Sequence, residues 1–364
     1  MRKLAVLRKL AAFMAFTGAF ATFVAAPAQA QFYKDKNLTF LINYGAGGNA
    51  DIEARIITQY IRKYIPGEPN LLVQTAPGAG GITGMNMLGL NIGSKADGLT
   101  MGYFTFGPIS TIAEDPALKI NVADFAVVGA TRSFALAYGR KDIPPGISKP
   151  ADLAKATKVF VGGYSRTSLH DTRLRLSLEL LGVPYQMVTG FQTIGAINKA
   201  MVQNELNYSS STLPGWTTQV VPQVVQTGIG IPLFQFPVIG RNGQPEGFEG
   251  LTKQGVPRFD QVYAEAFGRP PAGPKWEALL LSNSLGSNMQ RLIVFPKGTP
   301  NEAVTILRAA FAELAKDAEF AAAYHKVTNE TPDIARADEV EPLIARMRNV
   351  DPAVKKAIQE SIAE

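Results

Sequence analysis

The chain has 364 residues, 46% of them hydrophobic, with no cysteine and a formal net charge of +6. Without cysteine, disulfide scaffolds, thiol chemistry and a lipid-modified N-terminal cysteine are all excluded. Much of the positive charge sits at the start, on Arg2, Lys3, Arg8 and Lys9. Beyond residue 30 the balance is 32 basic against 30 acidic residues, a formal +2, which does not indicate a nucleic-acid partner.

Residues 1–30 read as a separate unit. The four basic residues precede an apolar stretch from Leu10 to Ala26, and Ala28-Gln29-Ala30 supplies an A-x-A cleavage pattern. That order is the signature of a secretory signal peptide, with the mature chain starting at Gln31. An uncleaved membrane anchor is the alternative, but the apolar stretch is short for a span and ends at Pro27. The 334 residues that follow exceed what one hydrophobic core usually serves, so two domains are expected. No later segment is long and apolar enough to suggest a membrane span.

Short apolar runs then alternate with helical patterns. Leu38–Asn43 reads as a strand and Asp51–Tyr64 as a helix whose Ile52, Ile56, Ile57, Tyr60 and Ile61 share one face. Pro66-Gly67 ends that helix, and Asn70–Thr75 is the next strand. A helix over Gly81–Asn91, an Asp97-Gly98 turn and a strand over Leu99–Phe106 follow. The pattern restarts after a linker edge at residues 141–146. It continues with strand Lys158–Val161, helix Ser168–Leu181, strand Tyr185–Val188, helix Thr193–Gln203 and strand Leu206–Ser209. Residues 240–287 are rich in glycine and proline and poorly patterned, apart from a helix at Phe259–Phe267. Arg291–Phe295 is strand-like, and Thr299-Pro300-Asn301-Glu302 is a capping box with proline at the first helical position. The remainder reads as helical, through Ala303–Lys316 and Asp338–Arg348. Such alternation argues an α/β fold with parallel or mixed sheets flanked by helices.

Two glycine loops carry the strongest functional signal. The first, Tyr44-Gly45-Ala46-Gly47-Gly48-Asn49-Ala50-Asp51, joins the first strand to the first helix. The second, Pro77-Gly78-Ala79-Gly80-Gly81, follows the second strand. Glycines at a helix start let a ligand approach bare backbone, where unpaired N–H groups favour an anion. The first loop also satisfies G-x-G-x-x-A, the dinucleotide fingerprint. However, Gln74 and Thr75 stand where the ribose-binding acid is needed, so a small anion such as a carboxylate fits better. Asp51 at the helix start reads as a cap.

In the second half, Tyr164-Ser165-Arg166-Thr167-Ser168-Leu169-His170 leads into a helix, so Ser165, Thr167 and Ser168 can cap it or hold a carboxylate. Phe191-Gln192-Thr193 and Ser209-Ser210-Ser211-Thr212 suit a cleft wall. Trp216 has two readings, cover for an apolar ligand body or core packing. Catalysis finds little support. No G-x-S-x-G elbow occurs, and two histidines without cysteine cannot build a typical zinc site. Ser165 with His170 has no oriented acid, since Asp171 points elsewhere on a helix.

Six segments, in order, resemble the Bug-type solute receptors of tripartite tricarboxylate transporters. They are Tyr44–Asp51 with Ala54-Arg55, Pro77–Gly81, Asp97-Gly98-Leu99-Thr100, the Thr167–His170 helix start, Phe295-Pro296-Lys297-Gly298-Thr299-Pro300 and the C-terminal helices. The resemblance implies a type II-like Venus flytrap, a two-lobed periplasmic binding protein in which each lobe is a mixed sheet flanked by helices. One lobe takes residues 31–134 and 236–364, and the other takes 135–235. It also implies a periplasmic receptor, not an enzyme, with no cofactor and no metal. Its partners are a small organic carboxylate and the permease subunits of the transporter. By position, one carboxylate falls to Tyr44, Ala46, Gly47, Gly48, Asn49 and Asp51 with Gly78, Ala79, Gly80 and Gly81. The rest of the ligand falls to Ser165, Thr167, Ser168, His170 and Thr193. Asn207 stands where the family usually has aspartate, and residues 240–287 are longer than its usual link. A sensory or interaction protein of the same fold is the other reading.

Overall fold

The computed structural model describes residues 32–240, 243–328 and 330–363; the expected leader lies outside them. Six strands form one mixed sheet: β1 (Asn37–Ile42), β2 (Asn70–Thr75), β3 (Thr100–Thr105), β4 (Ala126–Thr131), β12 (Arg291–Phe295) and β13 (Ile334–Arg336). Their order is β13-β4-β12-β3-β1-β2, where β1 runs parallel to β2 and β3 while β12 is antiparallel to β3 and β4. The second mixed sheet, β7-β6-β8-β5-β9, uses Tyr185–Val188, Val159–Gly162, Tyr208–Thr212, Ala135–Arg140 and Gly230–Gln235. A two-stranded hairpin, β10 (Val238–Ile239) with β11 (Pro245–Glu246), follows β9. The chain passes between the two large sheets after Thr131 and returns with β12.

Helices cover both sheets. In the first, α1 (Asn49–Ile61) buries Ala50, Ala54, Ile57 and Ile61, a spacing that puts them on one face. That face packs with β1 residues Phe40 and Ile42 and with α8 (Asn301–Leu314). The helix α2 (Ile82–Gly89) packs on the other side of the sheet. In the second, α3 (Leu169–Leu181) begins at Ser168, whose hydroxyl accepts from the Asp171 N–H, and ends at Gly182 in the left-handed conformation. Thr193 caps α4 (Ile194–Val202) in the same way. Next comes α5 (Trp216–Val225), a π-helix with Pro222 inside it. Then follow α6 (Phe259–Phe267), α7 (Pro274–Asn288), α9 (Ala318–Thr328), α10 (Ala337–Arg346) and α11 (Pro352–Ala363). Among the described residues no helix is long and apolar enough to cross a membrane.

At α8 the capping box expected from Thr299 does not form, since Pro300 is the N-cap and Thr299 Oγ1 donates to Pro296 O, and two larger features also depart from the sequence reading. The strand expected at Leu206–Ser209 runs instead over Tyr208–Thr212. Leu206 is a buried plug, and the Asn207 side chain joins Phe160 N–H to the Lys158 carbonyl. The serine run is therefore part of a central strand between β5 and β6. The other departure is α7, within the segment that showed no pattern. Its Ser282, Asn283, Ser284, Gly286 and Ser287 are buried, so small and polar residues line a close helix contact. A Cβ on Gly286 would overlap Leu169 of α3. A helix buried through such residues has no apolar stripe to detect.

Candidate functional site

A cavity of about 240 Å³ lies where the carboxyl ends of the parallel strands of both sheets meet. The first sheet contributes residues 44–50 after β1, Thr105 at the end of β3, and Gln290 and Arg291 at the start of β12. The second contributes Tyr164, His170, Arg173, Gln192, Thr193, Ile194, Ser211, Thr212 and Gln219. In open α/β sheets this edge is the usual place for a ligand.

The first glycine loop delivers the N-terminus of α1 into the cavity. The N-cap is Gly48, which has no side chain to accept from the first turn. The N–H groups of Asn49, Ala50 and Asp51 therefore have no partner within the helix. Asp51 does cap, but it caps the loop: its Oδ2 accepts from Gly47 N–H at 2.9 Å, and Arg55 pairs with it. Burial opposes its ionisation, but Arg55 and the Gly47 N–H outweigh that and hold its carboxyl below the usual range. Asp51 thus faces away from the anion position, and Gly47 offers space in place of its N–H. The Asn49 side chain reaches the other sheet, accepting from Gln219 Nε2 of α5 at 3.3 Å.

The second glycine loop does not line this cavity. β1 and β2 are neighbours, with Ile42 opposite Thr75, so both loops do leave the same sheet edge. The second, however, abuts the start of α3: a Cβ on Gly80 would overlap the Ser165 hydroxyl. Its link to the cavity is indirect, since the Tyr44 hydroxyl donates to Gly80 O at 3.0 Å and seats that ring. Gly80, Thr167 and Ser168 border a crevice of about 30 Å³ that shares Tyr44, while Ala79, Ser165 and Thr167 border a surface hollow beside Gln359. Of the residues named from sequence, Tyr44, Ala46, Gly47, Gly48, Asn49, His170 and Thr193 come together at the cavity. Asp51, Gly78, Ala79, Gly80, Gly81, Ser165, Thr167 and Ser168 do not line it. Trp216 is core, packed on Tyr138 at 6.1 Å.

His170 is locked by its surroundings. A carbonyl only accepts, so the 3.1 Å contact to Gly162 O assigns the proton to Nε2, and Nδ1 accepts from the Ser210 hydroxyl. Both ring nitrogens are engaged by the second sheet, leaving the ligand a ring surface at most. Burial, and then Arg173, push its pKa down from 6.5 to about 3. The unfolded chain takes up a proton on His170 near pH 6.5, and the folded chain does not until about pH 3. The stability that rests on the neutral ring is therefore full above pH 6.5 and declines as the pH falls. Asp171 works in the opposite direction, because burial raises it from 3.8 to about 6 against hydrogen bonds from Tyr164 N–H and Ser168. Subtracting the stability of His170→Gln cancels the Asp171 contribution. The advantage of wild type over that variant should shrink between about pH 7.5 and about 4.5 in urea unfolding. A difference that stays constant would count against a neutral, buried imidazole.

The two charged residues of the cavity, Arg173 and Arg291, were not legible in the sequence, nor were Thr105, Gln219 and Gln290. Arg291 Nη2 pairs with Glu53 Oε1 at 2.7 Å, with both side chains 3% exposed. Tyr103 donates to the other Glu53 oxygen at 3.0 Å. Arg173 lies one turn beyond His170 on α3 and is 7% exposed. An arginine in Leu-His-Asp-Thr-Arg-Leu-Arg reads as a solvated face, yet 11 of the 13 residues of α3 are buried. The available signal was the i, i+3 spacing from His170. Among the described residues no group of three His, Asp or Glu side chains is placed to hold a metal ion.

Neither a protein-family model nor a curated protein matches the chain. Solved structures do. MatC from Rhodopseudomonas palustris with bound malate superposes with a TM-score of 0.62 at 18% identity, over 90% of this chain and 99% of that one. The periplasmic binding protein BugD gives 0.63 at 15% identity, over 90% and 97%. A TctC solute-binding protein from Polaromonas gives 0.57 at 19% identity, over 90% and 99%. The chain shares their two-lobed fold. With such a fold, the two mixed sheets are the two lobes, and the cavity lies between them.

Proposed function

We propose that the chain is an exported receptor that captures a small organic carboxylate between its lobes and hands it to the permease of a tripartite tricarboxylate transporter. The observation that carries this reading is the glycine-capped N-terminus of α1, whose first-turn N–H groups open on the interlobe cavity. The positive end of the helix dipole and those oriented donors stabilise an anion without a titrating partner. In this reading residues 31–134 and 236–364 form the anchoring lobe, and residues 135–235 close over it. Tyr44, Ala46, Gly48, Asn49 and Ala50 hold one carboxylate, while His170 and Thr193 wall the far side. The Gly78–Gly81 loop seats Tyr44 and meets residues 165–168 when the lobes close. A ligand touching both lobes stabilises the closed state, since only there can it make both sets of contacts. The fold shared with malate-bound MatC supports a carboxylate over other anions.

Thermal unfolding of the chain from Gln31 tests this directly. A panel of carboxylates at millimolar concentration is compared with the corresponding amides. A carboxylate present at 100 times its Kd adds about 2.7 kcal/mol, which raises Tm by several degrees, and its amide should leave Tm unmoved. A flat panel on folded, ligand-free protein would remove the carboxylate reading.

A further inference from the structure

Two guanidinium groups line the cavity, and they differ in one respect. Arg291 is neutralised by Glu53. Arg173 has no ion-pair partner among the described residues, although it too is buried. Its Nε donates to Leu169 O at 3.4 Å and its Nη1 to Asn283 Oδ1 at 3.3 Å, both neutral acceptors at long range. The Phe236 ring lies 5.4 Å from its Cζ. Asp171, on the same helix, is occupied by the Tyr164 N–H and the Ser168 hydroxyl. Burial lowers the Arg173 pKa to about 10, so the group is still a cation at neutral pH.

A buried, unpaired cation is expensive, and a chain retains one where a counter-ion arrives from outside. Arg173 lines the cavity of about 240 Å³ and also a smaller one of about 50 Å³ beside it, and the larger has room for an organic anion. The start of α1, which has no side-chain cap, enters the same larger cavity from the opposite sheet. The orientation of the guanidinium is also built in. Asn283, which receives its Nη1, is held by Phe236 O and Pro237 O at 3.1 and 2.8 Å. Asn283 belongs to α7, so the long segment after residue 240 acquires a role in orienting Arg173.

We propose that Arg173 is the residue that selects for a second acidic group. The ligand is then a dianion, with one group on the α1 N-terminus and the other on Arg173. This rests on the carboxylate reading of the cavity. A guanidinium fork favours a carboxylate over a neutral group of the same shape, and with the α1 donors taken up by the first carboxylate, Arg173 makes that distinction at the second group.

The test is calorimetric titration with straight-chain α,ω-dicarboxylates of three to six carbons, each against the monocarboxylate of equal length. Wild type, Arg173→Met and Arg173→Lys are compared after their ligand-free unfolding curves establish that each is folded. Wild type should prefer the best dicarboxylate over its monocarboxylate by at least about 30-fold. In Arg173→Met that preference should collapse to within about threefold, and Arg173→Lys should restore part of it. If Arg173→Met weakens both ligands equally, Arg173 is a packing strut and the inference is overturned, with the α1 anchor left standing. A wild-type chain with no dicarboxylate preference overturns it in the same way. If folded wild type binds no carboxylate at all, the cavity reading and this inference fall together.

Discussion

Replacing Arg291 with methionine is expected to destabilise the ligand-free protein by about 3–5 kcal/mol, because it strands a buried carboxylate. Arg291 and Glu53 sit 2.7 Å apart beneath the cavity, each only 3% exposed. Arg291 also donates to Thr105 Oγ1 at 3.1 Å. A second acid is close in electrostatic terms: burial, and then Glu53, raise the Glu330 pKa to about 9, so that group stays protonated at neutral pH. Removing the one guanidinium leaves Glu53 with the Tyr103 hydroxyl alone. The double variant Glu53→Leu with Arg291→Met removes both charges, and such replacements are often neutral or better. Urea unfolding of the single and double variants should show a large loss followed by substantial recovery. A single variant within about 1 kcal/mol of wild type would mean that the pair contributes little to the fold.

Gly47→Asp is expected to weaken carboxylate binding on the order of 100-fold, whereas Gly47→Asn should stay within about tenfold. Gly47 has φ +75°, and a Cβ built there meets nothing within 4 Å. Asn and Asp tolerate this left-handed region better than other side chains, so the backbone cost is common to both variants. What separates them is charge. An Asp carboxylate at the cavity mouth competes for the same N–H groups and repels the incoming anion. Equal affinities for the two variants would place the ligand's acidic group elsewhere in the cleft.

Much of this protein is local, and local features were readable. Strands Asn70–Thr75, Tyr185–Val188 and Arg291–Phe295 have the bounds that their apolar runs suggest. The starts of α3 and α4 follow from Ser168 and Thr193, because an N-cap is a contact between residues three apart. The first glycine loop was likewise recognisable as bare backbone ahead of a helix. The second was recognisable in the same terms, yet its place against Ser165 depends on how the lobes meet. Helix α7 escaped because small polar residues bury it, and those residues look like loop when hydrophobic periodicity is the only guide.

The sequence by itself therefore determined many of the elements, the alternation that makes two mixed sheets, and the bare glycine loop ahead of a helix start. These depend on residues a few positions apart, whose energetics the chain carries with it in any surroundings. The tertiary structure alone decided which charges are paired. Glu53 neutralises Arg291 across 238 positions of sequence. Among the described residues Arg173 has no ion-pair partner, enclosed as α3 is by α7 and the cavity. Whether a buried charge has a partner depends on distances of a few ångströms between segments far apart in sequence, and only the packed chain sets them.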